Sequence, residues 1–592
     1  MSMSEKFGSE VRDLILKLAL KNAVDHDGKA SVKPVLGKVL GTMPDLRKVV
    51  KELEDLVSEI VAEVNRMSHE DQIRLLREYF PDTLVERKEA QLKVLPPLPN
   101  VGKYKEVRTR FAPNPDFLIH LGNARPAILS YEYAKEYKGK FILRFEDTDP
   151  KTKQPLPEAY SAIREDLNWL GVKWDEEYIQ SLRMGVYYSV ARELISVGGA
   201  YVDLCRREEF IKYKIGMKPC PHRDASMETN LDLWDKMVSN YFGEGDAVLR
   251  VKTDLLNPDP SLRDWVAFRV INTDKNPHPV VGSKYWVWPT YNFAAGVDDH
   301  LMSVTHILRG KEHTVNTLKQ KYLYQHLNWE YPEVINLGRL KLEGFILSKS
   351  KIKELLAKHP ERFKSMDDIR FGTIASLRNR GILAETIRKV ILEVGVKSSD
   401  AAISWENVAA INRKLVDSTA KRLMFVSHPP KKVLISSVPQ GVGEVSIPLH
   451  PTNKELGTRK IRTKLVEGKL EVYIDSHDLD KFKDLGYVRL MEFMNIRYVG
   501  EGSEGVLAEF VSTDLSDAKR FKAPIIQWIP NDDFVRVIIY RPDNLNLLRI
   551  RGYGESYMKM LRVGEVVQLV RYGFVKVKGF EGNVMEATYI HD

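Results

Sequence analysis

Residues 106–146 read EVRTRFAPNPDFLIHLGNARPAILSYEYAKEYKGKFILRFE. The runs EVRTRF and KFILRFE at the two ends are predicted strands, and ARPAILSYEYAKEY between them is a predicted helix. A strand followed by a helix and a second strand is the repeating unit of a parallel α/β sheet. This stretch therefore predicts a multidomain protein with an α/β domain of the Rossmann type.

The loop before the predicted helix has the composition of a phosphate-binding site. The free N–H groups and the positive dipole end of a helix N-terminus attract phosphate. His120 and Asn123 add side-chain donors there, and Gly122 would let a flat base approach the backbone. The motif is short, and a His120 that only caps or fills the loop is the alternative interpretation.

A second basic motif lies far downstream, in GFILSKSKI at 344–352. It follows EVINLGRLKL (333–342), which together with HLMSVTHIL (300–308) is predicted to return to the same sheet as a strand, so we expect it on a loop near the first motif. A lysine between two serines can neutralise the charge that grows on a pyrophosphate leaving group. The alternative interpretation is a solvated basic loop.

Changes in hydrophobic spacing and in composition divide the rest of the chain into predicted domains. Apolar residues repeat at helical spacing before residue 95, and short β-rich runs follow residue 424. The predicted domains are an N-terminal helical appendage (1–98), two halves of the Rossmann-type domain (99–200 and 285–351), an inserted α+β domain (201–284), a helical linker domain (352–423) and C-terminal all-β barrels (424–592).

Charge and cysteine content narrow the class of protein. The net charge of +9 and pI near 9.0 favour a polyanionic partner such as nucleic acid. Two cysteines in 592 residues cannot form a disulfide scaffold, and no run is apolar enough for a membrane span. With no apolar targeting segment at the start, we expect a cytoplasmic protein without a membrane partner.

The two motifs together resemble the HIGH and KMSKS signatures of the class I aminoacyl-tRNA synthetases. LRFEDTDP (143–150) and YNFAAGVDDHLMSVTHILRGKEH (291–313) are similar to the glutamyl and glutaminyl branch. PLHP, LGTRKI, VRLMEFMN and IQWIP, all after residue 447, resemble the archaeal and eukaryotic members of that branch. The resemblance implies a catalytic Rossmann domain, an acceptor-stem-binding insertion, a helical domain that contacts the tRNA stem, and anticodon-binding barrels.

Position in the family implies roles for individual residues. Asn123 replaces the second histidine of the first signature, and Ile346 replaces the first lysine of the second. The implied catalytic residues are His120, Asn123 and Lys349; the implied ATP-binding residues are Gly122, Leu347 and Ser348; the implied glutamate-binding residues are Arg110, Ala112, Asn114, Glu146, Tyr291 and Arg309.

Arg309 separates glutamate from glutamine within this branch. A substrate with one ammonium and two carboxylates needs an acid and a guanidinium in its pocket. The resemblance implies a glutamate–tRNA ligase that uses ATP and Mg²⁺, with tRNA(Glu), L-glutamate and ATP as partners. Charging of tRNA(Gln) stays open. The alternatives are a glutaminyl enzyme and a noncatalytic tRNA-binding derivative; without the family, Arg110 and Glu146 would be interpreted as a structural ion pair, and Tyr291 as a core aromatic.

Two further features remain open. Asp203, Cys205, Cys220 and His222 have a spacing that can supply four ligands to zinc, while a packing site without metal fits the sequence equally well. The N-terminal helices either dock a partner protein or brace the catalytic domain.

Overall fold

The computed structural model describes residues 7–25, 28–80 and 95–592. These residues belong to two compact units, with the division between Val94 and Leu95. Within the described residues, no helix has the length and apolar character needed to cross a membrane.

The first unit is helical, as its apolar spacing predicts. Leu53, Leu56, Val57 and Ile60 share one face of the third helix and are buried against the other helices, because residues three and four apart lie on the same side of a helix. The helices are α1 (Ser9–Asp25), α2 (Val32–Thr42), α3 (Val50–Arg66) and α4 (His69–Tyr79), with a 3₁₀ turn at Pro44–Val49.

The second unit begins with the α/β region. Strands β1 and β2 pair in parallel with Arg110 opposite Ile142, and the helix between them packs on the sheet, as the opening stretch predicts. The elements are β1 (Arg108–Phe111), α5 (Leu121–Glu136), β2 (Lys140–Phe145), α6 (Pro157–Trp169), β3 (Glu176–Ile179) and α7 (Met184–Ser196).

A separate antiparallel sheet follows, in the order β4-β5-β6-β7. Its apolar face shares a core with α7, in which Trp234, Trp288 and Phe268 are buried. The elements are β4 (Ala200–Asp203), α8 (Arg207–Ile215), α9 (Met227–Val238), β5 (Val248–Val251), β6 (Val266–Val270) and β7 (Val287–Pro289).

The chain then returns to the parallel sheet, whose full order is β3-β2-β1-β8-β9. The connections run away from β1 in opposite directions, so the sheet has a topological switch point between β1 and β8. Ligands of open α/β sheets bind beyond the carboxyl ends of the strands at such a point. The elements are α10 (Tyr291–Leu301), β8 (His306–Gly310), α11 (Thr314–His326) and β9 (Glu333–Leu337).

A mainly helical region follows the sheet. The predicted single strand EVINLGRLKL is wrong: it is interrupted at Gly338–Arg339, and its second half pairs in parallel with residues 401–403 instead. The elements are β10 (Leu340–Leu342), α12 (Lys349–Lys358), α13 (Ile374–Arg380), α14 (Ala384–Val394), β11 (Ala401–Ile403) and α15 (Trp405–Val416).

The C-terminal region forms two seven-stranded, barrel-like sheets and a two-stranded ribbon, β15–β16. The region is predicted to contain only strands, but two short helices lie among them. The elements are β12 (Lys421–Leu423), β13 (Phe425–Ser427), β14 (Lys431–Ser436), β15 (Glu444–Pro448), β16 (Thr458–Arg462), β17 (Leu470–Ile474), α16 (Ser476–Leu485), β18 (Tyr487–Leu490), β19 (Asn495–Gly502), β20 (Gly505–Ser512), α17 (Leu515–Arg520), β21 (Ile525–Ile526), β22 (Ile529–Pro530), β23 (Phe534–Asp543), β24 (Asn546–Glu555), β25 (Val566–Leu569), β26 (Gly573–Glu581) and β27 (Val584–His591).

Candidate active site

A cavity of about 1260 Å³ lies at the carboxyl ends of β1 and β8, at the switch point of the sheet. Eleven of the twelve residues predicted to bind nucleotide or amino acid line it; the exception is Lys349. Those eleven are Arg110, Ala112, Asn114, His120, Gly122, Asn123, Glu146, Tyr291, Arg309, Leu347 and Ser348.

His120 caps the helix that begins at the cavity. Its Nδ1 accepts a hydrogen bond from the Gly122 N–H at 3.0 Å, and Asn123 Oδ1 accepts one from the His120 N–H at 3.3 Å. Burial, with a smaller contribution from the charge of Lys349, lowers the pKa of His120 to about 4. The imidazole is therefore neutral at pH 7, and because Nδ1 accepts, its proton resides on Nε2.

The cap also explains the glycine at 122. A Cβ there would lie 2.8 Å from Cε1 of His120, closer than the ring can tolerate. Gly122 is thus required by the cap in this structure, in addition to the predicted approach of a base. His120 therefore does cap the helix, and the cap uses Nδ1 and not Nε2.

The second motif meets the first through residues 371–374. Gly372 donates its N–H to the Ile346 carbonyl at 3.0 Å, and its own carbonyl accepts from the Leu121 N–H at 3.2 Å. Ile374 donates to the Ile119 carbonyl at 3.0 Å. The two motifs, more than 220 residues apart in sequence, therefore lie on either side of one short segment. The predicted loop is shorter than expected, since Lys349 already begins α12.

The amino-acid side of the cavity rests on a buried ionic network. Asp299 accepts from Arg110 Nε at 3.1 Å and from Arg144 at 2.8 Å, and Arg144 also donates to Glu146 at 3.0 Å. Burial alone would raise the pKa of Asp299, but the two guanidinium groups lower it to about 2. The alternative of a direct Arg110–Glu146 ion pair is wrong, because each has a different partner.

Three residues that line the cavity carry buried oxygen atoms whose hydrogen bonds or negative charge are not fully balanced by neighbouring groups. Burial raises the pKa of Glu146 despite the nearby charges of Arg144 and Arg110. Asn114 Oδ1 and Asn292 Oδ1 are buried and have no hydrogen-bond partner among the described residues. A bound ammonium group would supply the donors and the positive charge that these atoms lack.

Arg309 is 5% exposed, and its guanidinium lies in the cavity wall. All its hydrogen bonds go to neutral groups: Tyr291 Oη at 3.4 Å, Thr317 Oγ1 at 2.6 Å, Tyr331 Oη at 3.1 Å and Gln320 Oε1 at 3.2 Å. No carboxylate lies within ion-pair distance of it in the part of the chain that the structure describes. A buried cation without a counter-ion is costly, so this position is prepared for an anion.

The predicted metal ligands also converge, outside the cavity. The ligand atoms of Asp203, Cys205, Cys220 and His222 all lie within 4.8 Å of one another. Asp203 Oδ1 is 3.2 Å from His222 Nδ1, and Cys205 Sγ lies 3.4 Å from the same nitrogen. Two sulfurs, one imidazole and one carboxylate fit a tetrahedral zinc site.

Comparison of the chain with known protein families gives three matches. Residues 106–418 match the family model described as tRNA synthetases class I (E and Q), catalytic domain. Residues 420–513 and 525–578 match two anticodon-binding domain models of the same group.

The chain belongs to the class I (E and Q) tRNA synthetases. Known proteins are similar to this chain over nearly its whole length. A glutamate–tRNA ligase of Hyperthermus butylicus is 53% identical in an alignment that covers 96% of this chain and 100% of the relative. One of Ignicoccus hospitalis is 52% identical over 98% of this chain and 100% of its own. Among solved structures, a glutamate tRNA ligase of Elizabethkingia meningosepticum matches with a TM-score of 0.38 and 24% identity, over 53% of this chain and 70% of that one.

The sequence did not single out three residues of this synthetase site. Asp299 and Arg144 lie inside the family-like stretches, yet nothing in their spacing shows that they pair with each other. Asp116 lies in the first motif and pairs with Lys349, 233 residues away. A buried charge needs a partner, but the partner's position is set by the fold.

Proposed function

We propose that this synthetase is a glutamate–tRNA ligase that forms glutamyl-adenylate from L-glutamate and ATP and transfers the glutamyl group to the 3′ end of tRNA(Glu). The observation that carries the proposal is the buried guanidinium of Arg309, held by neutral partners in the cavity wall. A glutamate side-chain carboxylate supplies the missing anion, whereas the neutral amide of glutamine leaves the charge uncompensated.

The reaction needs positioning and charge stabilisation rather than a protein nucleophile. The substrate carboxylate attacks the α-phosphate of ATP, and pyrophosphate leaves. The Nε2–H of His120 and the ammonium of Lys349 are the proposed donors to the phosphates, on which negative charge grows. Mg²⁺ bound with ATP would add to this neutralisation.

The α-ammonium of glutamate is proposed to lie near Glu146 and Asn114. Arg144 holds the Glu146 carboxylate at 3.0 Å, so the acid keeps its place without a substrate. Arg110, held by Asp299, presents a second cation to a substrate carboxylate. This arrangement matches one acid and two guanidinium groups to one ammonium and two carboxylates.

Aminoacylation of purified tRNA(Glu) and tRNA(Gln) with each of the two amino acids tests the proposal. We expect glutamate to be attached to tRNA(Glu), and glutamine to neither tRNA. Attachment of glutamine would support the glutaminyl alternative, and no attachment at all would support a noncatalytic tRNA-binding protein. Glutamylated tRNA(Gln) would extend the proposed substrates without changing the amino acid.

We further propose that Asp203, Cys205, Cys220 and His222 hold one structural zinc. Arg250 donates to the other oxygen of Asp203 at 2.6 Å, which orients the carboxylate towards the sulfurs. Metal analysis of gently purified protein is expected to give about one zinc per chain, and Cys205→Ser with Cys220→Ser is expected to remove it. Substoichiometric zinc in the unmutated protein would favour the packing site.

A further inference from the structure

Lys349 is the one predicted phosphate ligand that does not line the cavity, although Leu347 and Ser348 directly before it do. Its ammonium forms an ion pair with the carboxylate of Asp116. The Asp116 side chain is 5% exposed and that of Lys349 is 35% exposed. The carboxylate is therefore fixed inside the protein, while the lysine reaches it from the surface.

Apolar packing fixes the base of this pair. Phe117 and Leu118, which follow Asp116, are buried with Ile352 of α12 and with Phe371. Because Ile352 is fully buried, the first turn of α12 is anchored against the loop that carries Asp116. The ammonium of Lys349 is consequently held close to Asp116 by a cluster that does not include the lysine itself.

The chain just before Lys349 has exposed positions on either side of the hydrogen-bonded Ile346 and the packed Phe345 and Leu347. Glu343, Gly344 and Ser348 are exposed, and Ser348 makes no side-chain cap to α12. Gly344 has φ of +77°, a backbone conformation that other residues rarely adopt. The Lys349 side chain, which is 35% exposed, can exchange its ionic partner by rotation about its own bonds while the base of α12 stays in place.

We propose that Asp116 is a positioning residue that holds the Lys349 ammonium outside the nucleotide cavity until a triphosphate displaces it. The inference rests on the proposed function, because ATP is the anion that takes the place of the carboxylate. The triphosphate carries several negative charges, whereas Asp116 carries one. Once bound, the triphosphate therefore replaces Asp116 as the ionic partner of Lys349. Until then the ion pair with Asp116 competes with ATP.

This competition has a kinetic signature. Breaking the pair is a cost of ATP binding that the ground state and the transition state share. Removing the Asp116 charge therefore lowers KM for ATP and leaves kcat unchanged, since uniform binding does not change kcat. A residue needed only for folding would not produce this split.

The test compares Asp116→Asn and Asp116→Glu with the unmutated enzyme. Aminoacylation is measured with ATP varied at saturating glutamate and tRNA(Glu), and ATP affinity for the free enzyme is measured by equilibrium titration. We expect D116N to lower KM and Kd for ATP by about two- to fivefold, the range of a partly exposed ion pair. D116E keeps the charge and is expected to behave like the unmutated enzyme.

A double-mutant comparison isolates Lys349. In a Lys349→Gln background, D116N is expected to leave the Kd for ATP unchanged, because the competing pair is already absent. A weaker ATP affinity for D116N, or an equal change in both backgrounds, would overturn the inference.

A measurement on the unmutated protein covers the case in which D116N does not fold. Hydrogen exchange of residues 344–352 is expected to slow on addition of a non-hydrolysable ATP analogue, and unchanged exchange there would also refute the role of Asp116. An enzyme that binds ATP with this signature but charges no tRNA would contradict the proposed function alone.

Discussion

At the scale of a single residue, the proposed choice of substrate depends on Arg309. Its guanidinium is buried among Tyr291, Thr317, Gln320 and Tyr331, which supply hydrogen bonds but no negative charge. Such a group stabilises an anionic ligand strongly, because water does not compete for it.

Arg309→Gln is expected to raise KM for glutamate at least about 100-fold, corresponding to the several kcal/mol of a buried charged hydrogen-bond pair. Arg309→Lys keeps the charge but loses the planar fork, so an intermediate loss is expected. Steady-state aminoacylation with glutamate varied measures both variants, and KM for ATP serves as the internal control. Near-normal glutamate KM in R309Q would exclude Arg309 from substrate recognition.

Asp299 pairs with Arg144 and with Arg110, and Arg110 lines the same cavity. Asp299→Asn leaves two buried guanidinium groups without their shared counter-ion, so we expect a loss of about 3–5 kcal/mol in the free energy of unfolding. Glu354→Gln, which breaks the exposed pair with Lys358, is the matched control and should leave the free energy of unfolding nearly unchanged. Urea denaturation of both variants gives the comparison.

The pH dependence of that loss has a definite sign. The guanidinium groups hold the pKa of Asp299 at about 2, below its usual value. The stabilisation is therefore complete above about pH 4 and is lost as pH falls towards 2. A D299N effect that stayed constant over this range would show that the charge of Asp299 is not its cause.

At the scale of elements, His120 is a residue of α5's N-terminus with one observed role, in capping the helix, and one proposed role, in binding phosphate. His120 caps the helix with Nδ1 and is also one of the residues that line the cavity. Its two roles can be separated, because asparagine is also a good N-cap residue but has no imidazole.

His120→Asn is expected to keep the unfolding free energy close to that of the unmutated protein, whereas His120→Ala should lose about 1 kcal/mol. Both should lower the rate of ATP-dependent charging by about 10²-fold, the scale of one lost transition-state donor. Since burial lowers the pKa of His120 to about 4, the unmutated enzyme should show no His120 titration between pH 5 and 8. Normal charging by H120N would assign His120 to capping alone.

Sequence patterns predicted the elements around the site with uneven success. The strand–helix–strand unit at 106–146 is confirmed, because its apolar periodicity is carried by local sequence. The expected strand HLMSVTHIL is confirmed only from His306, since His300 and Leu301 still belong to α10. An apolar run has the same composition in a buried helix end and in a strand, so its boundary depends on what packs against it.

At the scale of the whole molecule, Asp166 and Arg378 join the α/β region to the helical region. Arg378 lies 3.5 Å from Asp166, whose two carboxylate oxygens are buried without a hydrogen bond among the described residues. Lys576 of β26 donates to the Arg378 carbonyl at 2.8 Å, so three regions meet here. Burial raises the pKa of Asp166 to about 7, and Arg378 only partly opposes it.

Asp166→Asn is expected to increase the free energy of unfolding at pH 8 by about 1–3 kcal/mol, because it removes a poorly compensated buried charge. A raised acid pKa stabilises the folded state below about pH 4, and this contribution is lost as pH rises through 7. The gain should therefore be smaller at pH 5 than at pH 8 and should approach zero only near pH 4. Urea denaturation of D166N and the unmutated protein at both pH values measures it; a destabilised D166N at pH 8 would contradict the prediction.

The sequence by itself determined the family, the Rossmann-type fold and eleven of the residues that line the cavity. Short motifs carry this information because backbone capping and phosphate binding need particular residue types at fixed local spacing. Only the tertiary structure decided which charges pair: Arg110 with Asp299, Glu146 with Arg144, and Lys349 with Asp116. Electrostatic interactions depend on distance in space and on burial, and neither quantity is encoded in separation along the chain.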